Sequence, residues 1–265
     1  MDYTSYTGLK VENANGVTTI TFIRPEVKNA INKQIHHELS RIWADVDDDP
    51  DTDVVVIQGS GGSFCAGGDL AWIAETAGDA LAVAQGQRTD RRISDDILAV
   101  EKPMIAKVDG PAVGLGCTLA LYCDFVYATE RSIFADPHVA VGLVAGDGGA
   151  VLWPQLIGYA RAKRYLLTGD KVTARVAENI GLITQCVADA DELDAVADEM
   201  VERMRTGAKL AIQFTKASIN AGLKQVSSVV TDRAAGYEGL TLMGEDVHIA
   251  IEAFGAKKKP VFTGR

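Results

Sequence analysis

The stretch VVVIQGSGGSFCAGGDL (residues 54–70) is the part of the sequence that says most about the fold. Its first residues form an unbroken apolar run, which is typical of a strand buried on both faces of a parallel sheet. Ala66, Gly67 and Gly68 follow in a turn where small or absent side chains let the backbone come close to a bound molecule. The stretch therefore predicts an α/β fold in which a strand leads into a ligand-binding loop.

A second stretch, KPMIAKVDGPAVGLGCTLALYCD (residues 102–124), repeats this arrangement. Met104–Val108 is predicted to be a strand, and Gly114 opens a short apolar helix over Leu115–Tyr122. The N-terminus of a helix presents unpaired N–H groups and favours negative charge. Strands and helices alternate around both stretches, which indicates crossover connections. The other predicted elements are the strands Val17–Ile23 and Asp124–Ala128 and the helices Asn32–Val46, with Asn32 as N-cap, and Arg88–Val100.

The pattern changes after residue 190, where helical segments follow one another and no further strand is predicted. These segments are Asp191–Met204, Leu210–Gly222 and Val226–Phe254. We therefore divide the chain into a catalytic α/β core, residues 1–200, and a helical C-terminal region, residues 201–265.

Composition argues against several classes of protein. Of 265 residues, 47% are hydrophobic and 23% are charged, as in ordinary globular proteins. The net charge of −10 argues against a nucleic-acid partner, and no apolar run approaches the ~20 residues of a membrane-spanning helix. The four cysteines form no C-x-x-C pair and the histidines are scattered, so we expect no metal site. The N-terminus lacks a signal-peptide pattern, and we expect a cytoplasmic location.

The two glycine-rich stretches, together with three other segments, give the chain a family resemblance. The other segments are RPEVKNAIN (24–32), FADPHVAVGLVAGDGG (134–149) and FGAKKKPVFTGR (254–265). In order and spacing they resemble the crotonase superfamily of enoyl-CoA hydratases and isomerases. The resemblance implies a core of stacked ββα units and C-terminal helices that join subunits into homotrimers or dimers of trimers. It also implies an acyl-CoA thioester as substrate, with CoA as part of that substrate and no separate cofactor.

The resemblance also implies where the thioester lies. Two backbone N–H groups, those of Gly68 and Leu115, would form the oxyanion hole that stabilises the carbonyl oxygen as it gains charge. The family usually has glycine where this chain has Leu115, whose side chain is expected to narrow the pocket. The further candidates for contacts to substrate are Ala66, Gly67, Asp69 and Leu70 at the adenine, Arg24, Lys28 and Lys257–Lys259 at the phosphates, and Trp72 and Phe254 beside the substrate.

Both catalytic glutamates that typical hydratases of the family carry are replaced. Thr118 and His138 occupy the corresponding positions. A hydroxyl at residue 118 can orient water, whereas an imidazole can exchange protons near neutral pH. Asp147 lies nine residues after His138 between glycines, where it could orient the imidazole and stabilise the imidazolium. We interpret His138 and Asp147 as a catalytic dyad; the alternative is a structural histidine with an aspartate that caps the helix starting near Gly148.

Three functions stay open at this point. The first is hydration or isomerisation of an enoyl-CoA thioester with His138 and Asp147 as acid and base. The second is hydrolysis of a C–C bond in a β-dicarbonyl compound, because the His–Asp spacing resembles crotonase-fold β-diketone hydrolases such as 6-oxocamphor hydrolase. The third is a non-catalytic acyl-CoA-binding homologue. His36 and His37, in the charged helix 32–46, are expected to lie on the surface.

Overall fold

The β-branched and apolar runs of the sequence pair into two sheets in the computed structural model, which describes residues 1–265. The larger sheet has six strands in the order β1-β2-β3-β4-β6-β9, and the smaller has the order β5-β7-β8. The strands are β1 (Leu9–Ala14), β2 (Val17–Phe22), β3 (Val54–Gly59), β4 (Met104–Val108), β5 (Ala112–Val113), β6 (Phe125–Thr129), β7 (Ile133–Ala135), β8 (Val172–Thr173) and β9 (Gln185–Val187).

The apolar run at the start of the first glycine-rich stretch forms a central strand of the larger sheet. β3 pairs in parallel with β2 on one side and β4 on the other, with Val17 opposite Val54 and Val55 opposite Met104. Side chains on both faces of β3 are buried, as its unbroken apolar sequence predicts. Only β1, which joins β2 through the turn at Asn15 and Gly16, is antiparallel in this sheet.

Ten α-helices surround the sheets. They are α1 (Lys33–Asp48), α2 (Leu70–Thr76), α3 (Ala80–Ala99), α4 (Leu115–Leu121), α5 (Gly149–Ile157), α6 (Tyr159–Thr168), α7 (Ala174–Asn179), α8 (Ala190–Thr206), α9 (Lys209–Leu242) and α10 (Glu245–Gly255). None of them combines the length and the apolar content that crossing a bilayer requires.

Helix boundaries follow capping side chains where the sequence supplies them. The Asn32 side chain accepts a hydrogen bond from the Ile35 N–H, which confirms the predicted start of α1. The prediction that α3 begins at Arg88 was wrong, because the helix begins at Ala80. The Asp79 side chain caps it by accepting from the Leu81 and Ala82 N–H groups.

The C-terminal region is helical, but its predicted division was wrong. α9 runs without a break from Lys209 to Leu242, through Gly222, where the sequence suggested the end of a helix. A glycine inside a helix costs about 1 kcal/mol relative to alanine, which the rest of a long helix can offset. α9 packs against α3 and α5, and so its C-terminal half reaches the core.

The boundary near residue 200 lies inside α8. Leu193 and Ala197 of this helix pack beneath the larger sheet against Val54, Ile105 and Tyr127. We therefore propose that the core includes all of α8 and that the helical region begins with α9.

Candidate active site

A cavity of about 630 Å³ lies between the two glycine-rich turns and helices α2, α3, α9 and α10. Most of the residues predicted to form the site line this cavity, although they come from distant parts of the chain. These are Lys28, Ala66, Gly67, Gly68, Asp69, Leu70, Trp72, Leu115, His138, Asp147 and Phe254. Arg24, Thr118 and Lys257 do not line it.

The two glycine-rich turns contact each other at the cavity wall. Gly67 has a φ of +85°, and a Cβ on it would lie 2.7 Å from the Val113 carbonyl oxygen. A Cβ on Gly114 would lie 3.8 Å from the Cα of Gly67 and equally close to Cε1 of His138. Glycine at position 67 therefore permits the close approach of the two turns, and the same contact brings the imidazole next to them.

The N–H groups of Gly68 and Leu115 have no acceptor within the protein. Ile31 donates to the carbonyl of Gly67 and accepts from Asp69, and this bridge leaves the Gly68 N–H between them unpaired. Leu115 is the first residue of α4, where no earlier turn offers a carbonyl. Both groups belong to residues that line the cavity, so they are available to an oxygen atom of a ligand.

His138 lies in a short 3₁₀ turn after β7, and three carboxyl groups surround its ring. Nδ1 is 2.5 Å from Oδ1 of Asp136. Nε2 lies 3.5 Å from Oδ2 of Asp147 and 3.9 Å from Oε1 of Glu238. The imidazole is thus held by one carboxylate, while its other nitrogen points to two more at the cavity.

Sequence analysis missed Asp136 and Glu238. Asp136 is only two residues from His138, and the segment Phe134-Ala-Asp-Pro-His contains it, so that signal was present. Glu238 comes from α9, and nothing near it in the sequence distinguishes it from a surface glutamate.

Asp147 is held by Thr118 of α4. The Thr118 hydroxyl donates to Oδ1 of Asp147 at 3.2 Å, whereas Oδ2 is buried without a hydrogen-bond partner. Thr118 is buried and away from the cavity, so it orients Asp147 rather than a bound molecule. The helix that follows, α5, has no side-chain cap, so Asp147 does not have the capping role considered above.

Burial and mutual charge shift the pKa of three groups in the cluster. Burial opposes the imidazolium, but Asp136 and Asp147 outweigh burial and raise the pKa of His138 well above its ordinary value. Burial raises the pKa of Asp147 to about 6, although the nearby His138 charge lowers it. Burial also raises the pKa of Glu238 well above its usual range. The charges of Asp136 and Asp147 thus favour the imidazolium form of His138, whereas burial favours the protonated form of Glu238.

The cationic residues predicted to bind phosphates differ in their surroundings. The Arg24 guanidinium is 3.1 Å from Oδ2 of Asp69 and donates to the Ala30 carbonyl at 2.7 Å. This pairing favours a structural role for Arg24, which connects the loop before α1 to the start of α2. Lys28 lines the cavity, and Lys257 follows the end of α10 as an exposed residue.

The prediction that His36 lies on the surface was wrong. Its side chain is buried, and Nε2 is 2.5 Å from Oδ1 of Asp90 on α3. The ring also packs against Trp72 with a centroid distance of 4.8 Å. His36 and Asp90 both line the cavity, whereas His37 is exposed as predicted.

Asp136, His138 and Asp147 together resemble the donor set of a cation site. One ligand atom from each lies within 4.8 Å of the others. Their closeness has another cause, because Nδ1 of His138 bonds directly to Asp136 and Thr118 bonds to Asp147. The absence of a metal in catalysis stays a prediction.

Known proteins match this chain over nearly its whole length. The family model described as enoyl-CoA hydratase/isomerase matches residues 12–265. A crotonyl-CoA hydratase of Syntrophomonas wolfei is 34% identical, over 98% of this chain and 100% of the relative. An enoyl-CoA isomerase/hydratase of Mycosarcoma maydis is 32% identical, over 94% of this chain and 93% of the relative.

Solved structures agree with the sequence matches. The crystal structure of an enoyl-CoA hydratase/isomerase from Mycobacterium paratuberculosis superposes with a TM-score of 0.87 at 36% identity, covering 93% of this chain and 98% of that one. An enoyl-CoA hydratase from Mycobacterium avium subsp. paratuberculosis gives a TM-score of 0.88 at 28% identity, covering 97% and 99%. The fold is that of the crotonase superfamily, as the sequence resemblance implied. The chain belongs to the enoyl-CoA hydratase/isomerase family.

Proposed function

We propose that the protein hydrates or isomerises an enoyl-CoA thioester, with the Gly68 and Leu115 N–H groups as oxyanion hole and His138 and Asp147 as the centre of proton transfer. One observation supports this proposal most directly. Two unpaired N–H groups and the His138 cluster open into the same cavity, and a Cβ on Gly114, beside Leu115, would lie 3.8 Å from Cε1 of the imidazole.

The oxyanion hole acts on the charge that develops during the reaction. Addition of water to an enoyl thioester passes through an enolate, whose oxygen becomes negative. Fixed N–H donors in a water-poor cavity stabilise that oxygen more strongly than they stabilise the neutral carbonyl. The Leu115 side chain does not remove its backbone N–H, so the departure from the usual glycine leaves the donor in place.

The carboxyl groups of Asp147 and Glu238 supply the base and the acid of the reaction. Asp147, ionised at neutral pH, accepts a proton from the water that forms a bond to C3. Glu238, whose protonated form is favoured by burial, donates a proton to C2, so that one water is added overall. The His138 imidazolium lies between them, stabilises the ionised Asp147 and can pass the proton back to restore both groups. In isomerisation the same groups would remove a proton from C2 and return one to C4.

The CoA part of the substrate would occupy the side of the cavity at Ala66–Leu70. Lys28 and the tail lysines Lys257–Lys259 are the proposed partners of its phosphates. We leave Arg24 out of this set because Asp69 already pairs with it. Free CoA is expected to compete with the thioester at this site.

Hydrolysis of a β-dicarbonyl compound is a second candidate. It is favoured by the contacts of His138 with Asp136 and Asp147, because an imidazole held by Asp136 can stabilise an ionised Asp147 that takes the proton of the attacking water. In that reaction water would attack one carbonyl, the C–C bond would break, and the enolate that leaves would occupy the oxyanion hole.

One substrate screen separates these functions. Enoyl-CoA esters, 3-oxoacyl-CoA esters and free cyclic β-diketones are incubated with the enzyme, and products are identified by mass. Gain of one water with the thioester intact supports hydration, whereas a cleaved carbon skeleton supports the hydrolase. Binding of CoA esters without any conversion would instead support a non-catalytic acyl-CoA-binding protein.

We also propose that the protein assembles into homotrimers or dimers of trimers. α9 and α10 carry large apolar side chains that are exposed in the single chain. They are Leu210, Phe214, Ile219, Val229, Leu240 and Phe254. Large apolar side chains exposed in this number on consecutive helices are typical of a surface that another protein chain covers.

A further inference from the structure

A second histidine–carboxylate pair lies in the wall of the cavity, apart from the His138 cluster. His36 of α1 and Asp90 of α3 meet at 2.5 Å between Nε2 and Oδ1. Their side chains are only 5% and 19% exposed. The ring of Trp72 contacts the imidazole at a tilt of 49°, with 4.8 Å between the ring centroids.

The proposed reaction does not use this pair. One base and one acid suffice to add water, and Asp147 and Glu238 supply them. Apolar walls alone would suit an alkyl chain, whereas a carboxylate in the wall loses part of its hydration. Oδ1 of Asp90 has its partner in His36, but Oδ2 accepts no hydrogen bond from the protein. The wall therefore presents an unused acceptor to the cavity.

Asp90 lies beside the reacting groups. Asp90 on α3 and Glu238 on α9 line the same cavity as Asp147, and the two helices pack against each other. On the next turn of α3, the Gln87 amide donates to the Ala235 carbonyl, which holds this part of α3 against α9. An acyl chain whose C2 and C3 lie next to Asp147 and Glu238 must therefore run close to Asp90.

We infer that the cavity selects an uncharged acyl group that carries a hydroxyl beyond its reacting carbons, with Asp90 as the acceptor and His36 as the residue that positions it. This inference rests on the proposed acyl-CoA function. A hydroxyl donates to Oδ2 of Asp90, and a hydrogen bond to a charged group is among the stronger ones. A terminal carboxylate on the acyl group would instead meet the negative charges of Asp90, Asp136 and Asp147, and would be rejected.

Binding of unreactive thioesters tests the inference without turnover. Calorimetry is used to measure Kd for butanoyl-, hexanoyl- and octanoyl-CoA and for their ω-hydroxy and ω-carboxy counterparts. At the chain length that reaches Asp90, the ω-hydroxy ester is expected to bind about 10- to 100-fold more tightly than the parent ester. The ω-carboxy ester is expected to bind more weakly than the parent.

Variants test whether His36 and Asp90 cause the preference for the hydroxy ester. Asp90→Leu should remove the hydroxyl preference and keep the affinity for the parent ester, and His36→Phe, which retains the ring against Trp72, should reduce it. His37→Phe, a matched change of the exposed neighbour, should leave every Kd unchanged. If Asp90→Leu does not fold, as judged by its melting temperature, Asp90→Asn serves instead and should relieve the discrimination against the ω-carboxy ester.

Two results would overturn the inference. One is equal affinity of the wild-type protein for hydroxy and parent esters at every chain length. The other is a hydroxyl preference that persists in Asp90→Leu. Both leave the proposed function intact if the parent esters and free CoA bind. Failure of free CoA and of every ester to bind would reject the proposed function, and the inference with it.

Discussion

At the scale of single residues, the carboxyl groups around His138 decide which group can act as base. From the sequence, His138 itself was expected to titrate near neutral pH and to accept the proton. Instead, Asp136 and Asp147 outweigh burial and raise the pKa of His138 well above that range. These charges favour the protonated imidazole, and we therefore propose Asp147 as the proton acceptor. In this proposal His138 is the cation that helps to keep a buried carboxylate ionised.

Removal of the His138 side chain tests whether His138 and Asp147 act together. His138→Ala is expected to lower kcat by about 10²–10⁴-fold, the usual effect of losing a group in acid–base catalysis. Asp147→Asn should lower kcat by a comparable factor. The variant that combines both changes should have a kcat little lower than either single variant, because the effects of residues that act as a unit are not additive. Thr118→Ala should cost less, since Asp147 keeps its charge. Steady-state kinetics on the substrate found by the screen measures these effects; near-normal turnover of His138→Ala would show the dyad to be structural.

Activity should also depend on pH through Asp147. Its pKa is raised to about 6 by burial, with Asp136 and Asp90 adding to the increase and His138 opposing it. The base must be ionised, so kcat/KM should rise as the pH increases through about 6 and level off above it. Neighbouring carboxylates favour the protonated form of His138 and burial favours that of Glu238, so we assign the rise near pH 6 to Asp147. A profile of kcat/KM against pH checks this prediction. If the Asp147→Asn variant shows the same rise in kcat/KM near pH 6, the titrating group is not Asp147.

Glu238 is expected to be the proton donor. Glu238→Gln preserves the shape and the neutral charge of the protonated side chain but cannot give up a proton as an acid. KM should therefore change little, while kcat should fall by about 10²-fold or more. Glu238→Asp should recover part of the loss, because it restores a carboxyl group. If Glu238→Gln has wild-type kcat, the glutamate only shapes the cavity.

At the scale of secondary-structure elements, the structure follows the sequence where a local signal exists. The apolar run of β3, the N-cap Asn32 and the helix opened by Gly114 are all where the sequence predicted them. Glu238 and His36 could not be assigned to the cavity in this way. Each lies on a helix with mixed charged and apolar residues, and only the packing of α9 on α3 and of α1 on α3 turns those faces inward.

The contact between the two glycine-rich turns gives a prediction at this scale. Gly67→Ala places a Cβ 2.7 Å from the Val113 carbonyl oxygen and at a φ that favours glycine, so the turns must move apart. We expect kcat/KM to fall at least about tenfold as the oxyanion donors are displaced. Gly222→Ala in α9 is the control, because a Cβ there meets open space. It should raise the free energy of unfolding by up to ~1 kcal/mol and leave kcat/KM unchanged.

At the scale of the whole molecule, α9 serves both the cavity and the outer surface. Its C-terminal half contributes the buried Glu238, and its N-terminal half carries the exposed Leu210, Phe214 and Ile219. Deletion of residues 206–265 would therefore remove an active-site residue together with the proposed interface. Loss of activity in that deletion variant would say nothing about assembly. The two roles of α9 are separated only by substitutions of its exposed side chains.

We test the assembly proposal by introducing charged side chains at exposed apolar positions of α9. The wild-type protein is expected to have the mass of a homotrimer or of a dimer of trimers by light scattering after gel filtration. Phe214→Glu combined with Ile219→Glu should give a smaller species, because ionised side chains are too costly to bury in an apolar interface. Lys224→Glu, a change of charge on the same helix, serves as the control and should keep the wild-type mass. A wild-type monomer with full activity at micromolar concentration would contradict the proposal, and the apolar side chains of α9 would then need another partner.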